Sequence, residues 1–216
     1  RLGDIVITNA NNVTESAGVT AKSLTQSAGG GTTLLTGAVN TDGATGVALT
    51  TSVITANNTI TTTNAGTVTF TNAGLLTLNG NITSDGAVVQ NGAGATSITS
   101  PRTITTTGDA VSFATGVTLN GAGTTSINTT SGSATGANVT FSSTLTGTTT
   151  DVEHLTVNAG SGGNVLFTGA VGGTRLGDIV ITNANNVTES AGVTAKSLTQ
   201  SAGGGTTLLT GAVNTD

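Results

Sequence analysis

The sequence predicts an all-β fold, a β-solenoid built from tandem repeats. Three observations lead there. Strand-and-turn motifs recur at intervals of roughly 20–28 residues, the length of one coil. Apolar residues alternate with Thr, Ser and Asn, as a narrow core with one wet face requires. And a long segment of chain is repeated without change, which suits an open-ended stack better than a sandwich that closes on itself.

The unchanged segment is Arg1–Asp42, which returns letter for letter as Arg175–Asp216. Folding alone tolerates surface substitutions, so full identity points to recent duplication or deliberate construction. The expected organisation is one full period over residues 1–174 and the start of the next identical period over residues 175–216, both in one continuous solenoid. With Arg rather than Met at position 1, the sequence reads as a window of a longer array. At about 4.8 Å per rung and seven to nine rungs, a period is expected to span roughly 35–45 Å.

Within the period, Leu34, Thr36, Gly37, Ala38 and Val39 match Leu166, Thr168, Gly169, Ala170 and Val171 without a gap. Each of the four Phe closes a Val-x-Phe triplet: Val68 and Phe70, Val111 and Phe113, Val139 and Phe141, Val165 and Phe167. Residues two apart on a strand share a face, so each triplet is expected to send both side chains into the core. These eight residues are the predicted structural core. Clusters such as TDG, SDG, NAG and NGAG supply the corners, where Gly and Asn accept positive φ. No run carries apolar residues at helical spacing.

Composition narrows the function. Only 7% of residues are charged and 2% aromatic, against about 25% charged in a typical soluble protein. Disorder is a poor fit, because 35% of residues are hydrophobic, mean hydropathy is +0.19, and Thr, Val and Ile favour strands. The net charge of −5, with no basic stripe and no aromatic platform, argues against nucleic acid. No apolar run approaches the ~20 residues of a membrane span. The lack of Cys decides little.

The texture GNVLFTGAVGGT (163–174), GDIVITNANNVT (3–14) and SLTQSAGGGTTLLTGAV (23–39) resembles the β-strand-repeat regions of filamentous-haemagglutinin-like bacterial surface proteins, along essentially the whole chain. The resemblance implies a right-handed parallel β-helix, secretion to the cell surface, and a fibrous adhesin or matrix role. Such proteins usually vary between repeats, and the unbroken identity of the two copies suggests a more regular fibre-former.

Chemistry-bearing motifs are few. His154 is the only histidine, beside Asp151 and Glu153 in DVEHLTV; with Leu155 and Val157 facing inward it is expected to point outward as a structural residue. The acids Asp4, Glu15, Asp42, Asp85, Asp109, Asp151 and Glu153 are scattered, where polysaccharide chemistry needs paired carboxylates and usually aromatic sugar platforms. TDG and SDG lack the tandem G-G-x-G-x-D of calcium β-rolls, and the Gly-rich stretches lack the Lys-Ser/Thr of a phosphate loop. Six N-x-S/T sequons begin at Asn12, Asn57, Asn81, Asn128, Asn138 and Asn186, as chance produces in so Asn- and Thr-rich a chain, and leave surface glycans undetermined. T-x-T runs at Thr59–Thr63 and Thr103–Thr107 raise ice binding, which needs a constant interval between rows. The Phe triplets are spaced unevenly instead, with Phe70 much farther from Phe113 than Phe113 is from Phe141 or Phe141 from Phe167.

The expectation is therefore a passive, non-enzymatic structural segment of an extracellular bacterial fibre, with no catalytic, cofactor-binding or metal-ligating residue. Its partners are further copies of itself, end to end or side by side, with neither nucleic acid nor a membrane span. The alternatives are the stalk of a secreted adhesin whose binding lies elsewhere, or an ice-binding solenoid.

Overall fold

The computed structural model describes the whole chain, Arg1–Asp216. It is a parallel β-solenoid of about 10 coils, with 26 strands and no helix. Every strand pair is parallel, each strand stacking on its counterpart one coil along. Three ladders run the length of the molecule, so each coil has three faces. Face 1 begins at Leu2–Ile7 and passes through Val68–Asn72, Val111–Phe113 and Val165–Phe167. Face 2 begins at Val13–Glu15 and passes through Val53–Ala56, Leu76–Leu78 and Val117–Asn120. Face 3 begins within Val19–Gln26, where residues 19–21 pair with Val39–Thr41, and passes through Ile60–Thr62, Ile82–Ser84 and Glu153–Asn158.

Alternation decides which side chains enter the core. Val68, Phe70, Val111, Phe113, Val139, Phe141, Val165 and Phe167 are all buried, in strands reading buried, half-buried, buried. A single cluster of 37 buried apolar residues fills the axis from Leu24 to Ala195. On face 1 one inward position reads, coil by coil, Ile7, Gln26, Leu49, Phe70, Gln90, Phe113, Phe141, Phe167, Glu189 and Leu209. Phe113, Phe141 and Phe167 occupy consecutive coils and stack, with centroids 5.5 and 5.3 Å apart. The wide gap between Phe70 and Phe113 is two coils, with Gln90 between them.

Uneven spacing is absorbed at the corners. Asp4 pairs with Ser23 across a short coil and Gly123 with Glu153 across a long one, while the strands stay in register. The long coil carries its surplus outside the strands, in the loops between Asn128 and Val139 and between Thr146 and Glu153. Close stacking fixes some corner residues. Gly172 has φ +82°, and a Cβ there would lie 1.9 Å from the Thr194 carbonyl oxygen one coil on, so no other residue fits.

Candidate functional surface

Three groups of side chains stand apart from the aliphatic core: a buried polar spine, a charged corner and outward polar rows.

The spine lies where face 1 turns into face 2. Gln90 occupies a position that Phe fills in neighbouring coils, and it is 1% exposed. Its Nε2 donates to Asn72 Oδ1 (2.9 Å) and to the carbonyls of Gly92 (2.8 Å) and Gly94 (3.1 Å). Its Oε1 accepts from the Thr115 N–H (3.3 Å) and hydroxyl (3.2 Å) one coil on. Asn72 donates in turn to the carbonyls of Gly74 (2.7 Å) and Gly94 (3.0 Å). Glu189 fills the same position above Phe167, and its carboxylate accepts N–H groups of Ala191, Gly192 and, a coil away, Gly211. Tight Gly-rich corners expose peptide groups that the strand ladders cannot reach, and these amides and carboxylates supply the missing partners. The sequence carries the signal: Val88-Val89-Gln90 and Val187-Thr188-Glu189 are Val-x-Gln and Val-x-Glu versions of the Val-x-Phe triplet.

The charged corner surrounds His154. The side chain is half-buried on Glu153–Asn158, on the outward side of that strand. Its Nδ1 accepts the Asp178 N–H at 2.8 Å, which places any ring proton on Nε2, and lies 3.3 Å from Asp178 Oδ2. Asp178 Oδ1 accepts the Ser197 hydroxyl (2.7 Å), so Ser197 bonds the carboxylate while His154 bonds the Asp178 backbone, and the three are not aligned as nucleophile and base. Nearby, Arg175 donates to Asp151 (2.6 Å) below and to Asp216 above, and these two carboxylates hold the guanidinium further into its charged range. Glu153 points inward, fully buried, accepting the Thr148 hydroxyl (2.7 Å) and the Thr149 N–H (3.1 Å) of the enlarged corner. No group of three or more His, Cys, Asp and Glu converges as metal ligands would.

Outward residues form rows along the axis. On face 3, Thr61, Thr83, Thr105, Asn128 and Asn158 follow one another on five consecutive coils. On face 2, Thr55, Thr77, Ser97, Thr118 and Thr146 do the same. Ladders of hydrogen bonds cross between coils. Asn79 donates to Asn57 (2.8 Å) and Thr99 to Asn79 (2.6 Å); Asn186 donates to Asn164 (2.7 Å) and Asn164 to Asn138 (3.1 Å). The uneven spacing of the Phe triplets, which counted against regular Thr rows, is thus no obstacle, because strand register restores the row. Face 1 differs, with Val89, Leu166 and Leu208 among its outward residues. An open trough of about 460 Å³ runs there between the Asn138, Asn164 and Asn186 ladder and Leu166.

Two carboxylates are held below the usual Asp range. Asp4 is lowered chiefly by the Ser23 hydroxyl, with Lys22 adding to it. Asp85 is lowered by the Ala65 N–H (2.8 Å) and the Thr107 hydroxyl (2.7 Å). Both bonds join adjacent coils.

Comparison with protein-family models, with curated proteins and with solved structures finds no match.

Proposed function

We propose that this chain is a structural segment of an extracellular bacterial fibre made of tandem β-solenoid units, and that it acts as a passive scaffold. One observation carries the reading: the parallel ladders continue across the join between the two copies, with register shifts only beside it. Leu155, Thr156 and Val157 pair with Ile179, Val180 and Ile181 in parallel, a register shift after Val157 sets Asn158 opposite Asn183, and Arg175 adds a tie from Asp151 to Asp216. A unit that accepts its own beginning as its next coil needs no special adaptor to continue. Backbone hydrogen bonds along the axis carry the load, and the neutral outer rows of Thr, Ser and Asn keep the surface wet. Few charges oppose side-by-side contact.

The test is negative-stain electron microscopy of chains with one, two and three units. Rods that lengthen by about 37 Å per unit support the reading. Compact particles that do not lengthen overturn it. A glycan-array screen of the same chains separates the scaffold from an adhesin, since specific glycan binding by the units contradicts a passive role.

The outward rows favour a second reading, an ice-binding solenoid. Thr, Asn and Ser on five consecutive coils of two faces offer polar groups at a regular interval. Against it, the neighbouring polar residues Asn57, Asn79 and Thr99 hydrogen-bond one another along the axis instead of facing water. Thermal hysteresis that is lost in Thr83→Tyr and Thr105→Tyr would favour this reading over the scaffold.

A further inference from the structure

The duplicated segment does not return to the face it left. In the first copy Ile5 stands on face 1, Val13 on face 2 and Val19 on face 3. In the second copy the same three residues are Ile179, Val187 and Val193. Ile179 stands on face 3 above Leu155, Val187 on face 1 above Val165, and Val193 on face 2 above Val171. Every residue of the segment has moved back by one face. Followed from Ile5 to Ile179, the chain advances by 23 faces, seven and two-thirds coils.

The segment nevertheless makes the same contacts in both places. Glu15 accepts the N–H groups of Gly18 and Gly37, and Glu189 those of Gly192 and Gly211. The Ser23 hydroxyl donates to Asp4 at 2.7 Å, and the Ser197 hydroxyl to Asp178 at 2.7 Å. The Thr32 N–H donates to Asn12 and the Thr206 N–H to Asn186. Arg1 pairs with Asp42, and Arg175 with Asp216. A sequence that closes identical hydrogen bonds on different faces requires those faces to be interchangeable. The coil is therefore close to three-fold in section, and a unit with a fractional number of coils stacks on itself with its register adjusted only beside the join, at Val157/Asn158 and Val171/Leu176.

From this we infer that successive units are turned by one face, so that each surface of the unit is displayed on three sides in turn. The pattern closes after three units, 23 coils, or about 110 Å. The inference rests on the tandem-array reading for its extension beyond two copies, but its first step lies within this chain. A fibre built this way has no preferred side. Whatever docks on residues 1–42 meets the same surface again one unit on, a third of a turn away and about 37 Å along the axis.

The equivalent lysines, Lys22 and Lys196, make the step measurable. Lys22 lies at the corner between faces 3 and 1, Lys196 at the corner between faces 2 and 3. Ser161 and Ala202 belong to the face 3 to face 1 corner, where the loops stack: the Asn185 N–H donates to Gly163 O and the Gly205 N–H to Asn185 O. The chain has no Cys, so two nitroxides can be placed on the intact 216-residue protein through exposed positions. Ser161→Cys with Ala202→Cys spans two coils on one corner, about 10 Å, and its continuous-wave spectrum is expected to be strongly broadened by dipolar coupling. Ser161→Cys with Lys196→Cys spans fewer coils but crosses a face. Its labels are expected beyond about 20 Å, the face width plus the label arms, with little broadening. Broadening in the Lys196 pair equal to that of the Ala202 pair would put Lys196 on Lys22's corner and overturn the inference. A complementary pair reverses the expectation. Thr150 lies between Leu145–Thr146 on face 2 and Glu153–Asn158 on face 3, on the corner assigned to Lys196. Thr150→Cys with Lys196→Cys is therefore expected to broaden as the Ala202 pair does, and a sharp spectrum would count equally against the inference. Neither result depends on filament formation, so failure of longer chains to form rods would count against the fibre reading alone.

Discussion

The ring of Phe141 stacks on that of Phe167 one coil above it, with centroids 5.3 Å apart and planes 10° from parallel. Phe113 covers its other side at 5.5 Å. Phe70 has no such neighbours, since Leu49 and Gln90 flank it.

Phe141→Ala is therefore expected to cost about 3–5 kcal/mol, the usual range for a buried Phe, and more than Phe70→Ala. Phe167→Ala should fall between them. A double-mutant cycle on Phe113 and Phe141 should return a coupling of about 0.5–1.5 kcal/mol beyond lost burial. Denaturant unfolding measures all of these. Unchanged stability in Phe141→Ala would contradict the inward stack.

Gln90 sits between Phe70 and Phe113, where an apolar residue would extend the stack. Gln90→Leu is nonetheless expected to destabilise by about 3 kcal/mol or more, because it removes the partners of Asn72 Oδ1, Gly92 O and the Thr115 N–H, and each buried orphan costs about 1–3 kcal/mol. A neutral or stabilising Gln90→Leu, read by thermal unfolding, would show that the corner finds other partners.

The corner after Ile60–Thr62 places two successive non-glycine residues in the left-handed region, Asn64 at φ 55° and Ala65 at φ 59°. Asn tolerates this, whereas Ala has no polar group to compensate its crowded Cβ. Ala65→Gly is expected to stabilise the chain by about 1 kcal/mol. The Ala65 side chain is exposed, so little packing is lost. A drop in melting temperature would refute the strain.

Asp85 bridges coils by accepting the Ala65 N–H and the Thr107 hydroxyl, which lower its pKa. A carboxyl with a lowered folded pKa adds stability above its unfolded value, near pH 4, and that stability is lost as pH falls through the folded value. Asp85→Asn should thus be less stable than the parent at pH 7, with the difference shrinking as pH falls below about 4. Melting temperatures across acid to neutral pH test this, and a difference independent of pH would assign the loss to shape rather than charge.

The alternation in sequences such as TVTFT was enough to place Val68 and Phe70 inward and the Thr residues outward, because strand geometry has a period of two that needs no distant partner. The corner chemistry was legible only in part. The Gly and Asn clusters marked the turns, but nothing local said that Gln90, Asn72 and Glu153 point inward to satisfy corner peptide groups, since their partners lie in loops or in other coils. Likewise His154 could be placed outward from its neighbours, but its contact with Asp178 joins positions on successive coils.

By itself the sequence determined the all-β class, the inward side of the strands with alternating apolar residues, and the long exact repeat. Only the tertiary structure decided which face each strand occupies. That choice depends on how much chain every intervening corner takes up, a sum over the whole coil path that no local pattern encodes. Two identical copies of DIVIT can therefore stand on different faces, their strand geometry the same and their position around the axis set by the path of the chain between them.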